Sequence, residues 1–238
     1  MRFFNWLKDN SDTEMMGDKM SEIIRKTKWL FIEYVLWCFM WPFLRLCQLE
    51  LRNYDHLPAK PYIMAFNHVS YLDWLILYPF FNKIKKQPII FIGKKRLFEH
   101  PLFKHFMEYA RVICVDQGNV NKTFLCQVRK SLKEGHVLGI FPEGTRSADG
   151  RLLKGQPGIT QLAIMNRVPV IPVGLNGFYN ILPKGKKFPR INKLVIEIGE
   201  PIYLDQYHGK KLTEQEIESL TRLIMTQIGH LTHQEYNY

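Results

Sequence analysis

Short apolar runs recur along the chain: Tyr62–Phe66, Pro88–Ile92, Val137–Phe141, Val168–Val173 and Leu194–Ile198. Runs this short and this apolar read as buried strands. Between them, apolar positions return at helical spacing. Helices are predicted over Tyr71–Phe81, kinked before Pro79, and over Leu102–Ala110, Asn121–Glu134, Gly158–Arg167 and Thr213–Leu231. Within Asn121–Glu134, Phe124, Leu125, Val128 and Leu132 share one face, and Gly135 follows as a stop. Strands alternating with helices predict an α/β fold with a mixed, largely parallel central sheet flanked by helices. No internal repeat or low-complexity tract interrupts the pattern.

The N-terminal stretch differs. Trp29–Leu44 is crowded with aromatic residues and flanked by Arg25, Lys26, Lys28 and Arg45. A helix of this length reaches about 24 Å, short of the roughly 30 Å hydrocarbon core, and Glu33 and Pro42 interrupt it. Tryptophans with basic flanks suit the membrane interface. The reading is an interfacial or half-inserted segment, with a core helix and a spanning helix as alternatives. Residues 1–52 are therefore assigned to membrane-associating helices and 53–238 to a catalytic domain, with a linker near Asn53–Pro61. Met1–Asn10 is short, mixed and carries Asp9, so no signal peptide is expected.

Composition narrows the partners. The chain has 238 residues, 33 Lys and Arg against 22 Asp and Glu, and a formal net charge of +11. Basic clusters fall at Lys83, Lys85 and Lys86, at Lys94, Lys95 and Arg96, and at Lys184, Lys186 and Lys187. No nucleic-acid recognition motif accompanies them, so anionic lipids or an acidic acyl donor fit better. A solvated surface is the plainer account for some of them. The cysteines Cys38, Cys47, Cys114 and Cys126 show no Cys-x-x-Cys spacing, which implies a reducing compartment and no structural zinc. No metal is expected: His100 and His105 fit no standard ligand spacing, and His230 and His233, which could share a helix face, are read as part of a solvated tail. A Gly-rich nucleotide fingerprint is also missing.

Two polar clusters carry candidate chemistry. The first is Asn67-His68-Val69-Ser70-Tyr71-Leu72-Asp73, directly after an apolar strand. Ser70 and Asp73 have the spacing of a capping box, and His68 falls in the strand-to-helix connection. There the chain can fold back so that Asp73 orients one ring nitrogen, leaving the other as a base. The alternative is an ordinary loop histidine beside a helix cap. The second cluster is Phe141-Pro142-Glu143-Gly144-Thr145-Arg146-Ser147, at the end of another strand. Gly144 allows close backbone approach, Arg146 can grip phosphate oxygens, Thr145 adds a hydroxyl, and Glu143 can bind a hydroxyl or position Arg146. A turn with a local Glu–Arg pair is its plain alternative. Together the clusters suggest deprotonation of a hydroxyl on a phosphorylated substrate.

These residues resemble a known family. His68 followed by four residues and Asp73 looks like the first motif of the glycerolipid acyltransferases, and Phe141–Ser147 resembles their phosphate-binding motif. Val168-Pro169-Val170-Ile171-Pro172-Val173 resembles their last motif. Order and spacing match over roughly residues 50 to 205, most like the lysophosphatidate (1-acylglycerol-3-phosphate) acyltransferases. The resemblance implies His68 as general base, Asp73 orienting it, and Glu143, Gly144, Thr145 and Arg146 on the substrate. Val170, Ile171 and Pro172 are candidates for an acyl pocket.

One departure stands out. In Arg111–Gly118, Gln117 occupies the place where the family usually has an arginine. Gln117 can hydrogen-bond a phosphate without charge, and Lys154 is a candidate for the missing cation, or else an exposed loop lysine. The implied reaction is direct transfer from an acyl thioester, with acyl-CoA or an acyl carrier protein as cosubstrate and no cofactor. The expected partners are a lysophospholipid acceptor, that donor and an anionic membrane surface, with no nucleic acid, and the expected place is the cytoplasmic face of a membrane. The alternatives are another lysophospholipid or amine-containing acceptor, or a catalytically silent membrane-binding scaffold.

Overall fold

In the computed structural model, residues 27, 34, 38, 40–85, 89–99, 104, 107, 108, 110–116, 120–183 and 185–238 are described. The chain forms two compact units, Met1–Phe43 and Leu44–Tyr238. The second contains a seven-stranded sheet: β1 (Glu50–Arg52), β2 (Ile63–Phe66), β3 (Ile89–Lys94), β4 (Ile113–Val115), β5 (Val137–Ile140), β6 (Val170–Asn176) and β7 (Val195–Ile198). Its order is β1-β7-β6-β2-β5-β3-β4. The β6, β2, β5, β3 and β4 strands run parallel, β7 runs antiparallel to β6, and β1 pairs parallel with β7. The sheet is thus mixed and largely parallel.

Flanking helices are α1 (Asp73–Pro79), α2 (Lys122–Lys133), α3 (Gly158–Asn166), the single turn α4 (Phe178–Ile181) and α5 (Glu214–Thr232). Side chains of β2 alternate between the two faces, as a pleated strand requires. Ile63 and Ala65 join a core with Phe124, Val128 and Leu132 of α2, Ile159 and Leu162 of α3, and Ile224 and Ile228 of α5. Phe66 meets Phe81, Phe91 and Phe141 in an aromatic cluster. The expected kink before Pro79 takes another form. Pro79 stays within α1, and the chain widens into a π turn at Phe80–Ile84, one of the usual devices for bending a helix. Helix ends follow local chemistry. Asn121 accepts from the Phe124 amide to start α2, and Thr213 with Glu216 forms a full capping box at α5.

The boundary expected between residues 52 and 53 falls differently here. The compact unit begins at Leu44, with Leu44 and Cys47 buried in it. Glu50–Arg52 is an edge strand, too short for its pattern to announce itself. The linker expected near Asn53–Pro61 opens with a 3-10 turn at Tyr54–His56. Most of Trp29–Leu44 lies outside the described residues, as does most of the helix expected at Leu102–Ala110. No helix among the described residues is long and apolar enough to cross a membrane.

Candidate active site

The parallel strands β2, β5 and β6 lie side by side, and their carboxyl ends release the loops that build the site, where α/β sheets place ligands. Three central strands, buried throughout except for Asn176 at the end of β6, give those loops a rigid base. His68 sits two residues beyond β2. Its loop turns back before α1, so Asp73 Oδ2 lies 2.8 Å from His68 Nδ1. The same oxygen accepts from the amides of Val69 at 2.8 Å and Ser70 at 2.9 Å. Only half of the expected capping box forms: Asp73 accepts from the Ser70 amide, but Ser70 Oγ accepts from Leu72 N in place of Asp73 N and donates to the carbonyl of Leu182. Asp73 is fully buried, and its Oδ1 has no hydrogen-bond partner. One carboxylate oxygen therefore gathers the loop and fixes the imidazole.

The second cluster meets the first at the same residue. Glu143 Oε1 accepts from the His68 amide at 2.7 Å, and Ser147 N donates to the His68 carbonyl at 2.8 Å. Both peptide groups of His68 are thus held by the β5 loop. Phe141 stacks on the imidazole with centroids 4.2 Å apart. Glu143 Oε2 accepts from Leu153 N at 2.9 Å. Burial pushes the Glu143 carboxyl up to about 7; the two amides oppose this, and the nearby charge of Asp73 adds to it. Gly144 takes a positive φ of 64°, and its amide closes a turn on the Phe141 carbonyl.

Arg146 lies over the Tyr71 ring, 3.5 Å from its centroid, a cation–π contact that parks a guanidinium beside the histidine loop. The imidazole keeps 18% exposure, and among the described residues Nε2 makes no hydrogen bond. The arrangement can therefore take up a proton at Nε2, stabilise the resulting imidazolium through Asp73, and offer a cation and an exposed Thr145 to an anion.

Other candidates stand apart from this constellation. Lys154 Nζ is 2.6 Å from Glu218 Oε1 on α5, an exposed ion pair. Val170 and Ile171 are fully buried in β6, with Val170 inside the main core; Pro172 lies where β7 begins to pair and accepts from Gly199 N. Gln117 lies outside the described residues. Cys114 occupies β4, and burial pushes its thiol up. Among the described residues no group of His, Cys, Asp or Glu could hold a metal ion. Two contributors had no role in the sequence reading. Asn67 is buried and bonds both the amide and carbonyl of Leu175 on β6, and Phe141 covers the imidazole. Their position beside His68 and Glu143 was the available signal; their partners, distant in sequence, were not.

Residues 48–176, more than half of the chain, match the family described as Acyltransferase. The chain is 29% identical to the 1-acyl-sn-glycerol-3-phosphate acyltransferase of Bacillus subtilis over 155 residues, 65% of this chain and 73% of that protein. It is 29% identical to the enzyme of the same name from Cocos nucifera over 154 residues, 61% of this chain but 47% of that longer protein. The crystal structure of the 1-acyl-sn-glycerophosphate acyltransferase PlsC from Thermotoga maritima superposes with a TM-score of 0.60 at 25% identity, covering 80% of this chain and 74% of that one. The sheet, the matched span and the relatives agree, and the chain belongs to the acyltransferase family.

Proposed function

We propose that the protein transfers a fatty acyl group from a thioester of coenzyme A or an acyl carrier protein to the free hydroxyl of a 1-acylglycerol 3-phosphate, giving phosphatidic acid. The observation that carries this reading is the convergence on His68. Its Nδ1 is held by Asp73, and its amide and carbonyl are held by Glu143 and Ser147 of the loop after β5. An acceptor phosphate near Arg146 would bring a glycerol hydroxyl within reach of Nε2. His68 takes the hydroxyl proton as the oxygen attacks the thioester carbonyl; Asp73 stabilises the imidazolium. Collapse of the tetrahedral intermediate breaks the C–S bond, and the imidazolium returns the proton to the leaving thiolate. No acyl-enzyme is needed. The relatives named for this acceptor support its choice. A membrane-surface location follows from a lipid acceptor and the basic, aromatic N-terminal sequence.

His68→Ala is expected to lower thioester-dependent acylation of lysophosphatidate by about 10²–10⁴-fold while thermal unfolding is little changed. Product mass across a panel of lysophospholipids reads the acceptor. Full turnover by His68→Ala sinks the mechanism; a preferred acceptor without a phosphomonoester sinks the substrate.

A further inference from the structure

Between α4 and β7, residues 183 and 185–193 are described and form a loop. Its described residues from Gly185 to Ile191 are all exposed, yet its backbone is tied down. Arg190 N bonds the Ile181 carbonyl at 2.8 Å, Lys186 N bonds the Pro183 carbonyl at 3.1 Å, and Asn192 Nδ2 bonds the Gly177 carbonyl at 3.0 Å. At its tip Phe188 is 82% exposed, more than any other large apolar side chain described, and Ile191 is 62% exposed. Apolar side chains held out by a bonded loop expose surface that water penalises. Around them stand Lys186, Lys187 and Arg190, and no acidic residue occurs from 183 to 193. Lys193 is paired with Glu50, whereas Lys186, Lys187 and Arg190 have no carboxylate partner among the described residues. Lys186 and Arg190 also line a cleft of about 430 Å³ with Tyr179, Asn180 and Asn192.

We propose that this loop docks on an anionic bilayer, with Phe188 and Ile191 entering the interface and Lys186, Lys187 and Arg190 meeting lipid phosphates. Apolar tips with basic flanks match the two components of interfacial binding, burial and attraction to anionic lipid. Its position gives the docking a use, which rests on the lipid acceptor proposed above. Leu182, the residue before the loop, accepts from Ser70 Oγ of the histidine loop at 3.2 Å, and Tyr179 OH bonds the Ala148 carbonyl just beyond Ser147 at 3.1 Å. A docked loop therefore sets the His68 face beside the membrane that holds the acceptor.

Hydrogen–deuterium exchange of the full chain on vesicles tests this independently of other attachments. Amides of 185–191 should be protected on phosphatidylcholine vesicles containing one-third phosphatidylglycerol, and less so on pure phosphatidylcholine. Phe188→Ser with Ile191→Ser should remove that protection. Lys186→Gln with Arg190→Gln should weaken partitioning onto anionic vesicles by about fivefold per residue. Both double variants should acylate a short-chain acceptor dispersed as monomers at the unaltered rate and lose activity on vesicle-embedded acceptor. Exchange unchanged by either vesicle, equal protection on both, or protection by an acyl carrier protein alone overturns the docking. If the unaltered protein acylates neither form of acceptor while the loop is protected, the acyltransferase reading fails and the docking stands.

Discussion

A buried carboxylate that accepts two backbone amides is under opposing influences, and at Glu143 burial wins, raising its carboxyl to about 7. The folded protein therefore holds this proton more tightly than the unfolded chain, whose glutamate titrates near 4.5. The proton is taken up on folding, so this group's contribution is full below pH 4.5 and is lost as pH rises through 7. The loss across that window is of the order of 3 kcal/mol. Glu143→Gln cannot titrate and turns an N–H toward one of the amide donors. Urea unfolding from pH 4.5 to 7.5 should show the unaltered protein losing stability relative to Glu143→Gln as pH rises. A constant gap would mean that Glu143 is ionised throughout. Asp73 differs in kind: three donors converge on one oxygen, including the imidazole, so its role is to hold geometry at a single point.

Elements in this fold are short, and the turns between them set the site. Gly177 joins β6 to α4 with φ of 82°, and a Cβ there would lie 2.0 Å from the Lys193 carbonyl oxygen. An alanine would incur both backbone strain and displacement of the segment that enters β7. Gly177→Ala is expected to destabilise by more than about 1 kcal/mol and to exceed Gly209→Ala, where φ is 75° but the space is open. Equal thermal shifts for the two variants would show that strain alone matters. Elements of this kind were unevenly legible in sequence. Ile63–Phe66 and Val137–Ile140 are continuous apolar runs, and α2 and α5 carry their own caps, so pattern and local chemistry agreed. Glu50–Arg52 is held by pairing with Val195–Glu197, a contact far along the chain, and nothing local marks it. At the site, the five-residue step from His68 to Asp73 was readable because a loop can close it. The staple from Glu143 to the His68 amide depends on β2 and β5 being neighbours, which pairing decides.

At the scale of the whole molecule, strand order makes the site. Placing β2 between β5 and β6 brings together loops separated by about seventy residues and then thirty more, and every long-range bond around His68 crosses that junction. The α5 helix and the tail beyond it close the arrangement from the far end of the sequence: Thr221 of α5 meets Thr160 on α3, and in the tail Gln234 Oε1 accepts from Leu152 N and Tyr236 OH accepts from Gly155 N. The sheet, its helical cover and the whole His68 constellation lie within Leu44–Tyr238. A fragment of residues 44–238 therefore keeps the whole sheet and its own core, the conditions for independent folding. It should unfold in one cooperative urea transition, and loss of the last five residues, Gln234–Tyr238, should lower its midpoint by freeing the amides of Leu152 and Gly155. A fragment that shows no cooperative transition would mean that the first forty-three residues complete the core; an unchanged midpoint after the truncation would mean that the tail only decorates it.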